Sequence, residues 1–413
     1  MSSPLDYLFG LPSISPITAT FDPVLARWPT LNVLLPGVDV RAMSGGPNTV
    51  VQISHRLAGR GVPVRYISTD IPAARDHTAF WDHASNLTGV PHSAIRAEIK
   101  CASDRSRAIS LGENDMFMAS AWWNVQMIKR LMPHTRPRQF FYLIQEFEPG
   151  LYPLSTEHAL SLETYDLDYF GLINERLILD YMVRNEIGRF AEPDFVTKRC
   201  VPFEPAIDRR VFTKSPTSTK TGRRLIFYAR PNSAKRNLFE LGLYALKTAA
   251  ETGVFDGDDW EMFFVGEALP DARLTNTITI RSMPWLSMAD YGAFVADSDI
   301  ALSLMLSPHT SYLPLETAAA GGVCVTSVYA NKTTARLAEL SPRILGVKPS
   351  LEGVVSGLRD AVDRVSRGIP AQGAQIDLPA SWNDALEPVV TRAANWFRQN
   401  ALAQQIPGEN QGA

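Results

Sequence analysis

Apolar positions along the chain fall into two textures. Short, nearly unbroken apolar runs predict strands buried on both faces, and apolar residues three or four apart predict amphipathic helices. The first run is "LNVLLPG" (31–37), closed by Pro-Gly. A polar loop containing "SGGP" (44–47) follows, and "NTVVQISHRLAGRG" then places Val50, Ile53 and Leu57 on one helical face. "VPVRYIST" (62–69) is the next strand. Strand, loop, helix, strand is the βαβ unit of a parallel sheet. The rhythm returns in "RQFFYLIQ" (138–145), in "LDYFGLIN" (167–174) and in the helix-like "ERLILDYMVRN".

The periodicity lapses over "VPFEPAIDRRVFTKSPTSTKTGRR" (201–224), which is rich in Ser, Thr, Lys and Pro and reads as a linker. It then restarts. "LIFYARP" (225–231), "WEMFFVGE" (260–267), "TITIRSM" (277–283), "DIALSLML" (299–306) and "GVCVTS" (322–327) read as strands. "NLFELGLYALKTAAETG" (237–253) and "MADYGAFVADS" read as helices, and another is expected to start at Pro314. "SWNDALEPVVTRAANWFRQN" (381–400) also looks helical, with Pro388 expected to kink it or start a new helix. The expected fold class is α/β: two Rossmann-like doubly wound domains facing across a cleft. The expected boundaries are 1–210 for the first domain, 211–222 for a linker and 223–380 for the second. Residues 381–400 form a C-terminal helix packing back on the first domain, and 401–413 a flexible tail. Loops at strand C-termini face the ligand in such sheets, so Glu146, Glu148, Asn174 and Glu175 are candidates to line it.

Composition narrows the function. A chain of 413 residues suits two domains. The 40 basic against 43 acidic residues give a net charge of −3, which argues against a nucleic-acid partner. Cys101, Cys200 and Cys324 form no C-x-x-C pair and lie near no His cluster. No metal site and no cofactor are expected, and a reducing, cytoplasmic compartment fits. The start carries no basic segment, and the apolar stretch at 116–128 is too short to span a bilayer. The expectation is a soluble protein, or at most one attached peripherally to a membrane.

Four stretches carry candidate chemistry. In "FYARPNSAKRN" (227–237), Arg230, Lys235 and Arg236 crowd a strand end and a helix start, beside Asn237. A helix N-terminus is already positive, so added cations call for an anion such as a diphosphate; a solvated basic loop is the alternative. In "SPHTSYLPLETAAAGG" (307–322), Glu316 is expected in the first turn of a small-residue helix, behind a loop containing His309, Ser311 and Tyr312. A carboxylate accepts two hydroxyls at once, as a ribose diol requires, although the helix dipole alone would also favour an acid there. Gly45 and Gly46 allow close approach of a ligand, or form a plain turn. No G-x-G-x-x-G follows a strand, which disfavours a nicotinamide dehydrogenase. Glu146 and Glu148 in "IQEFEPGLYP" are weak candidates for a base, or solvated acids. His55 reads as a helix-face residue.

Together these stretches resemble the GT-B glycosyltransferases, closest to the large retaining class that includes sucrose and glycogen synthases. More narrowly, "FYARP…RNLFELG", "IQEFEPGLYP" and "SPHTSYLPLE" look like the rhamnosyltransferases that build bacterial surface rhamnan from dTDP-β-L-rhamnose. The resemblance implies that Arg230, Lys235 and Arg236 hold the donor diphosphate and that Glu316 holds the ribose. It also implies that Ser311 and Tyr312 line phosphates and nucleoside, and that Gly45 and Gly46 approach the donor. The partners implied are a nucleotide-sugar donor and a carbohydrate or lipid-linked glycan acceptor. Two departures stand out. The wider class often has a second Glu eight residues before the helix Glu, where this chain has Pro308. The loop after "TITIRS" reads "MPWLS" and lacks the usual basic residue, the nearest cation being Arg281. Another NDP-sugar donor, an NDP-sugar epimerase on the same fold and a non-catalytic sugar-binding protein are the rival readings.

Overall fold

The structure is a computed structural model that describes residues 14–43, 45–208, 210–212, 220, 222–232, 234–283, 286–368 and 376–402. Ser44 of the glycine loop, most of the expected linker, Pro284 and Trp285, and the tail from 403 lie outside the described residues.

The chain divides into two compact units. One holds residues up to Phe203 together with those from Trp382 onward, and the other spans Glu204–Ser381. In chain order the first unit contributes β1 (Ala19–Asp22), β2 (Leu31–Leu35), β3 (Val64–Ser68), β4 (Ala97–Cys101), β5 (Ile109–Gly112), β6 (Met116–Ala119), β7 (Phe140–Ile144), β8 (Tyr169–Asn174) and β9 (Cys200–Phe203). The second contributes β10 (Arg223–Ala229), β11 (Trp260–Gly266), β12 (Ala272–Arg273), β13 (Thr279–Ser282), β14 (Ile300–Ser303), β15 (Val323–Ser327) and β16 (Ile344–Val347).

The first unit's main sheet runs β4-β3-β2-β6-β7-β8-β9, with every pairing parallel. β1 and β5 form a separate parallel pair. The second unit's sheet runs β12-β13-β11-β10-β14-β15-β16, parallel except for the short β12–β13 pair. Helices cover both faces of such sheets, so their central strands read as continuous apolar runs. Every residue of β2, β7, β8, β14 and β15 is accordingly buried.

Both sheets reverse direction once. The first unit is wound outward from β2 to β4 and then returns to place β6 on the other side of β2. The second is wound from β10 through β11 to β13 and returns to place β14 beside β10. Loops at the carboxyl ends of the strands flanking such a reversal diverge and leave a crevice.

The structure refines several sequence expectations. The stretch from 201 begins with β9, an edge strand paired with β8, before any linker. The apolar segment 116–128 is two elements, β6 and the helix Trp122–Leu131. The C-terminal helix Trp382–Phe397 runs through Pro388 without a break. That helix belongs with the first unit: its Trp396 ring lies 4.7 Å from Phe141 and 5.0 Å from Phe170. Arg56 Nη2 donates to Asn383 Oδ1 at 2.8 Å, and Arg60 pairs with Glu387 at 2.6 Å.

At the amino ends of the first unit's strands sits a buried charged cluster. Arg65 Nη1 donates to Asp115 Oδ2 at 2.9 Å and to Asn32 Oδ1 at 2.8 Å, and Nε reaches Glu98 at 2.5 Å. Asp115 also accepts from the backbone N–H groups of Thr30 and Gly112, each at 3.0 Å. The second unit has a counterpart there, where Lys220 and Arg223 pair with Asp299.

Candidate functional site

The two cation- and carboxylate-bearing stretches of the second unit flank its reversal, one after β10 and one after β14. They touch directly. Leu306 N–H donates to Arg236 O at 2.9 Å, and Asn237 Nδ2 donates to Leu304 O at 3.1 Å. Asn237 is buried, so its amide serves this link. Lys235 is exposed, and Arg230 and Arg236 are partly buried. Lys235–Asn237 form a single 3-10 turn, and the following helix, Phe239–Glu251, starts only after Leu238 at φ 51°. The cations therefore precede that helix by a turn, where a helix at once was expected. Arg230 donates to the Tyr228 hydroxyl at 3.4 Å. Gly266, ending the neighbouring β11 at φ 123°, leaves it room: a Cβ there would lie 2.9 Å from Arg230 Cγ. Glu267 Oε2 ties down the same loop by accepting from Asn232 N and Nδ2 at 3.2 and 3.0 Å.

The loop after β14 is held from within. Ser307 Oγ accepts from His309 N at 3.0 Å, and His309 Nδ1 accepts from Ser311 N at 2.9 Å. A backbone N–H can only donate, so Nδ1 is the unprotonated nitrogen and the ring proton resides on Nε2. Ser311 has φ 73° and ψ 151°, a backbone region nearly confined to glycine. Such strain concentrates where a loop must present groups to a ligand. Helix Tyr312–Ala319 starts two residues before the expected Pro314, so Glu316 is its fifth residue and lies beyond the first turn. The dipole explanation for this acid weakens accordingly, because that effect fades within the first turn. Burial instead pushes the Glu316 carboxyl up to about 7, against the pull of the Tyr291 hydroxyl. Tyr291 donates to Oε2 at 2.7 Å. Among the described residues no hydrogen bond engages Oε1.

In the first unit, Gly45 and Gly46 open the helix Gly45–Gly59 after β2, forming its first turn where a loop ahead of it was expected. Gly45 has φ 40°, and among the described residues no atom beyond its chain neighbours and its own helix backbone lies within 4 Å of the Cβ it lacks. Gly46 O accepts from Gln145 Nε2 at 3.3 Å, so the glycine turn meets the loop after β7. Glu146 in that loop accepts from Phe147 N at 2.9 Å. Glu148 Oε2 accepts from Trp122 N at 2.7 Å and from the Tyr142 hydroxyl at 3.2 Å. It thereby satisfies a free N–H at the amino end of the helix Trp122–Leu131, a structural reason for an acid at this position. Asn174 and Glu175 are buried at the end of β8. His55 is a core residue bonded to Val90 O at 3.0 Å, with its pKa lowered by burial.

Three residues escaped sequence reasoning: Tyr291, Gly266 and Lys332. Tyr291 lies in a predicted helix with nothing to mark its partner, and Gly266 read only as a strand end. Lys332 is fully buried, although the sequence "YANKTT" reads as an exposed turn. Among the described residues no cluster of His, Cys, Asp or Glu could hold a metal ion, and no helix is long and apolar enough to cross a membrane.

Comparison with known proteins bears on family and fold. Residues 30–173 match the family described as WsaF, N-terminal domain, and residues 223–359 match WsaF, C-terminal domain. The O-antigen biosynthesis protein RfbC of Myxococcus xanthus is 30% identical over 254 residues, which are 60% of this chain. The match spans only 18% of that relative's length. Among solved structures, sucrose-phosphate synthase from Thermosynechococcus elongatus aligns with a TM-score of 0.60 at 10% identity, covering 91% of this chain and 100% of that one. Anabaena Alr3699/HepE, solved with UDP and glucose, aligns at 0.56 and 10% identity, covering 91% and 96%. A putative UDP-N-acetylglucosamine 2-epimerase from Listeria monocytogenes aligns at 0.51 and 10% identity, covering 90% and 97%. The fold is that of the GT-B glycosyltransferases, two Rossmann-like domains in succession.

Proposed function

We propose that this chain, which belongs to the WsaF family in both of its halves, is a glycosyltransferase that moves L-rhamnose from dTDP-β-L-rhamnose to a hydroxyl of a growing surface glycan. The observation that carries the reading is the junction at the second unit's reversal, where Leu306 N–H meets Arg236 O and Asn237 meets Leu304 O. It brings a cationic loop and the loop leading to Glu316 to the one edge of the sheet where such folds bind nucleotides. Arg230, Lys235 and Arg236 would neutralise the departing diphosphate, and the strained loop would add backbone N–H donors. Charge developing on the leaving group is met by fixed dipoles and cations, which is how such transfers are accelerated. Glu316 would accept the ribose hydroxyls through Oε1, with Tyr291 holding Oε2. Ser311, Tyr312 and the Nε2–H of His309 would line the phosphates and nucleoside. The O-antigen relative supports a polysaccharide acceptor. Pro308, standing where hexose-using relatives often carry a Glu, supports a deoxysugar.

The UDP-bound neighbour and the epimerase-like neighbour define the competitors. A thermal-shift panel of dTDP, UDP and GDP identifies the nucleotide, because a true ligand raises the melting temperature by mass action. Incubation with dTDP-rhamnose then separates the chemistries. Free dTDP with an extended rhamnosyl acceptor is the expected result. Release of dTDP without acceptor would favour epimerisation, and binding without turnover a sugar-binding module.

A further inference from the structure

Lys332 lies outside every motif that the function uses, yet it is fully buried. A buried ammonium is costly unless its protons are accepted. Its Nζ donates to Met305 O at 3.0 Å and to His309 O at 3.1 Å, two carbonyls of the loop after β14. A trans peptide is planar, with C=O and the following N–H pointing opposite ways. Drawing Met305 O inward therefore turns Leu306 N–H outward, and that N–H is the one that donates to Arg236 O at 2.9 Å. Drawing His309 O inward likewise turns Thr310 N–H away from Lys332, just before the strained Ser311. Ser327 Oγ braces Met305 on both of its peptides, accepting from the N–H of the one before it at 2.8 Å and donating to the carbonyl of the one after it, the carbonyl that Lys332 holds, at 3.0 Å.

We infer that Lys332 is a positioning residue for nucleotide diphosphate binding: it orients two peptides of the loop after β14 and so sets the cationic turn at Arg236 against that loop. The inference rests on the nucleotide-sugar reading above. Lys332 acts through Arg236 and the loop's N–H groups and need not touch the nucleotide.

The test is titration calorimetry with dTDP, UDP and GDP on the full chain and on Lys332→Met, Lys332→Gln, Arg236→Ala and the double variants. Lys332→Met should weaken the preferred diphosphate about tenfold, the effect of losing a bond of the charged class. Lys332→Gln still donates to carbonyls and should recover part of that affinity. On the Arg236→Ala background, Lys332→Met should cost little more, because residues acting along one link are not additive. Unchanged affinity in Lys332→Met, or effects that multiply with Arg236→Ala, would overturn the inference. If Lys332→Met does not fold, Lys332→Gln carries the same cycle. If neither folds, amide exchange on the wild type decides: the nucleotide should slow Leu306 and Thr310 together, and slowing of one alone or neither overturns the link. A wild type that binds none of the three nucleotides overturns the donor reading along with this one.

Discussion

The two units share a winding and an ion-paired amino end, and differ in what they place at the carboxyl end. At the amino ends they agree: Arg65 with Asp115 in the first unit and Lys220 and Arg223 with Asp299 in the second fix neighbouring strands through buried or partly buried charge. At the carboxyl ends they part. The first unit spends its acid Glu148 on capping a helix and leaves glycine and glutamine at its reversal. The second leaves three cations, a strained loop and a desolvated acid there. If the nucleotide-sugar reading proposed above holds, one architecture separates charge that holds the fold from charge that meets a ligand, and substitutions at the two ends should behave oppositely.

The largest effect is expected from Arg65→Met. It strands Asp115 without its ion partner, and breaking such a buried pair costs about 3–5 kcal/mol. Urea denaturation should show that loss, while nucleotide affinity of the molecules still folded stays near wild type. Arg230→Ala should do the reverse. Affinity for dTDP should fall by roughly a hundredfold in calorimetry, about 2.7 kcal/mol, with stability within about 0.5 kcal/mol of wild type. An Arg230→Ala protein that unfolds readily and binds normally would erase the distinction drawn between the two ends.

Glu316 sharpens the comparison through pH. On the proposed reading ribose hydroxyls would donate to the ionised carboxylate, so bound nucleotide would lower its pKa and affinity should rise as pH climbs through about 7. The gain between pH 6 and 8 should approach roughly tenfold, the equivalent of one pKa unit, and vanish in Glu316→Gln. Stability of the nucleotide-free protein should run the other way. A raised folded-state pKa favours the protonated form, so this contribution is full below the unfolded carboxylate value and is lost as pH rises through about 7. The smallest effect is expected from Ser311→Gly. Relieving a backbone conformation of φ 73° should stabilise the second unit by about 1 kcal/mol, visible as a modest rise in melting temperature.

Much of this was legible in the sequence for a physical reason. Strands buried on both faces, such as Leu31–Leu35 and Val323–Ser327, write themselves as apolar runs, and the restart after the polar stretch marked a second unit. The clustered cations of 230–236 and the acid at 316 stood out because charge without a nearby sequence partner asks for a ligand, and the structure places their loops together at the second unit's reversal. What escaped depends on register and neighbours. β6 was hidden because in "MFMASAWW" only Ser120 and Ala121 separate it from the following helix, with no Gly or Pro to mark the break. Whether Glu148 is an acid for chemistry or a cap depends on Trp122, 26 positions away in sequence. Lys332 carries no sequence signal at all, since a lysine beside Asn and Thr looks solvated until the loop it braces is folded over it. Glu316 was expected in the first turn and lies beyond it, because Pro314 suggested a helix start that Tyr312 takes.

The helix that begins at Trp382 carries a consequence for synthesis. Its Trp396 covers Phe141 and Phe170, yet it leaves the ribosome after the whole of Glu204–Ser381. The first unit, although most of it precedes Glu204–Ser381 in synthesis, therefore cannot finish its core until the helix from Trp382 emerges. The intervening unit is the one free to mature early, and a transcript truncated shortly before Trp382 would yield a first unit with bare aromatic surface, a substrate for chaperones and proteases.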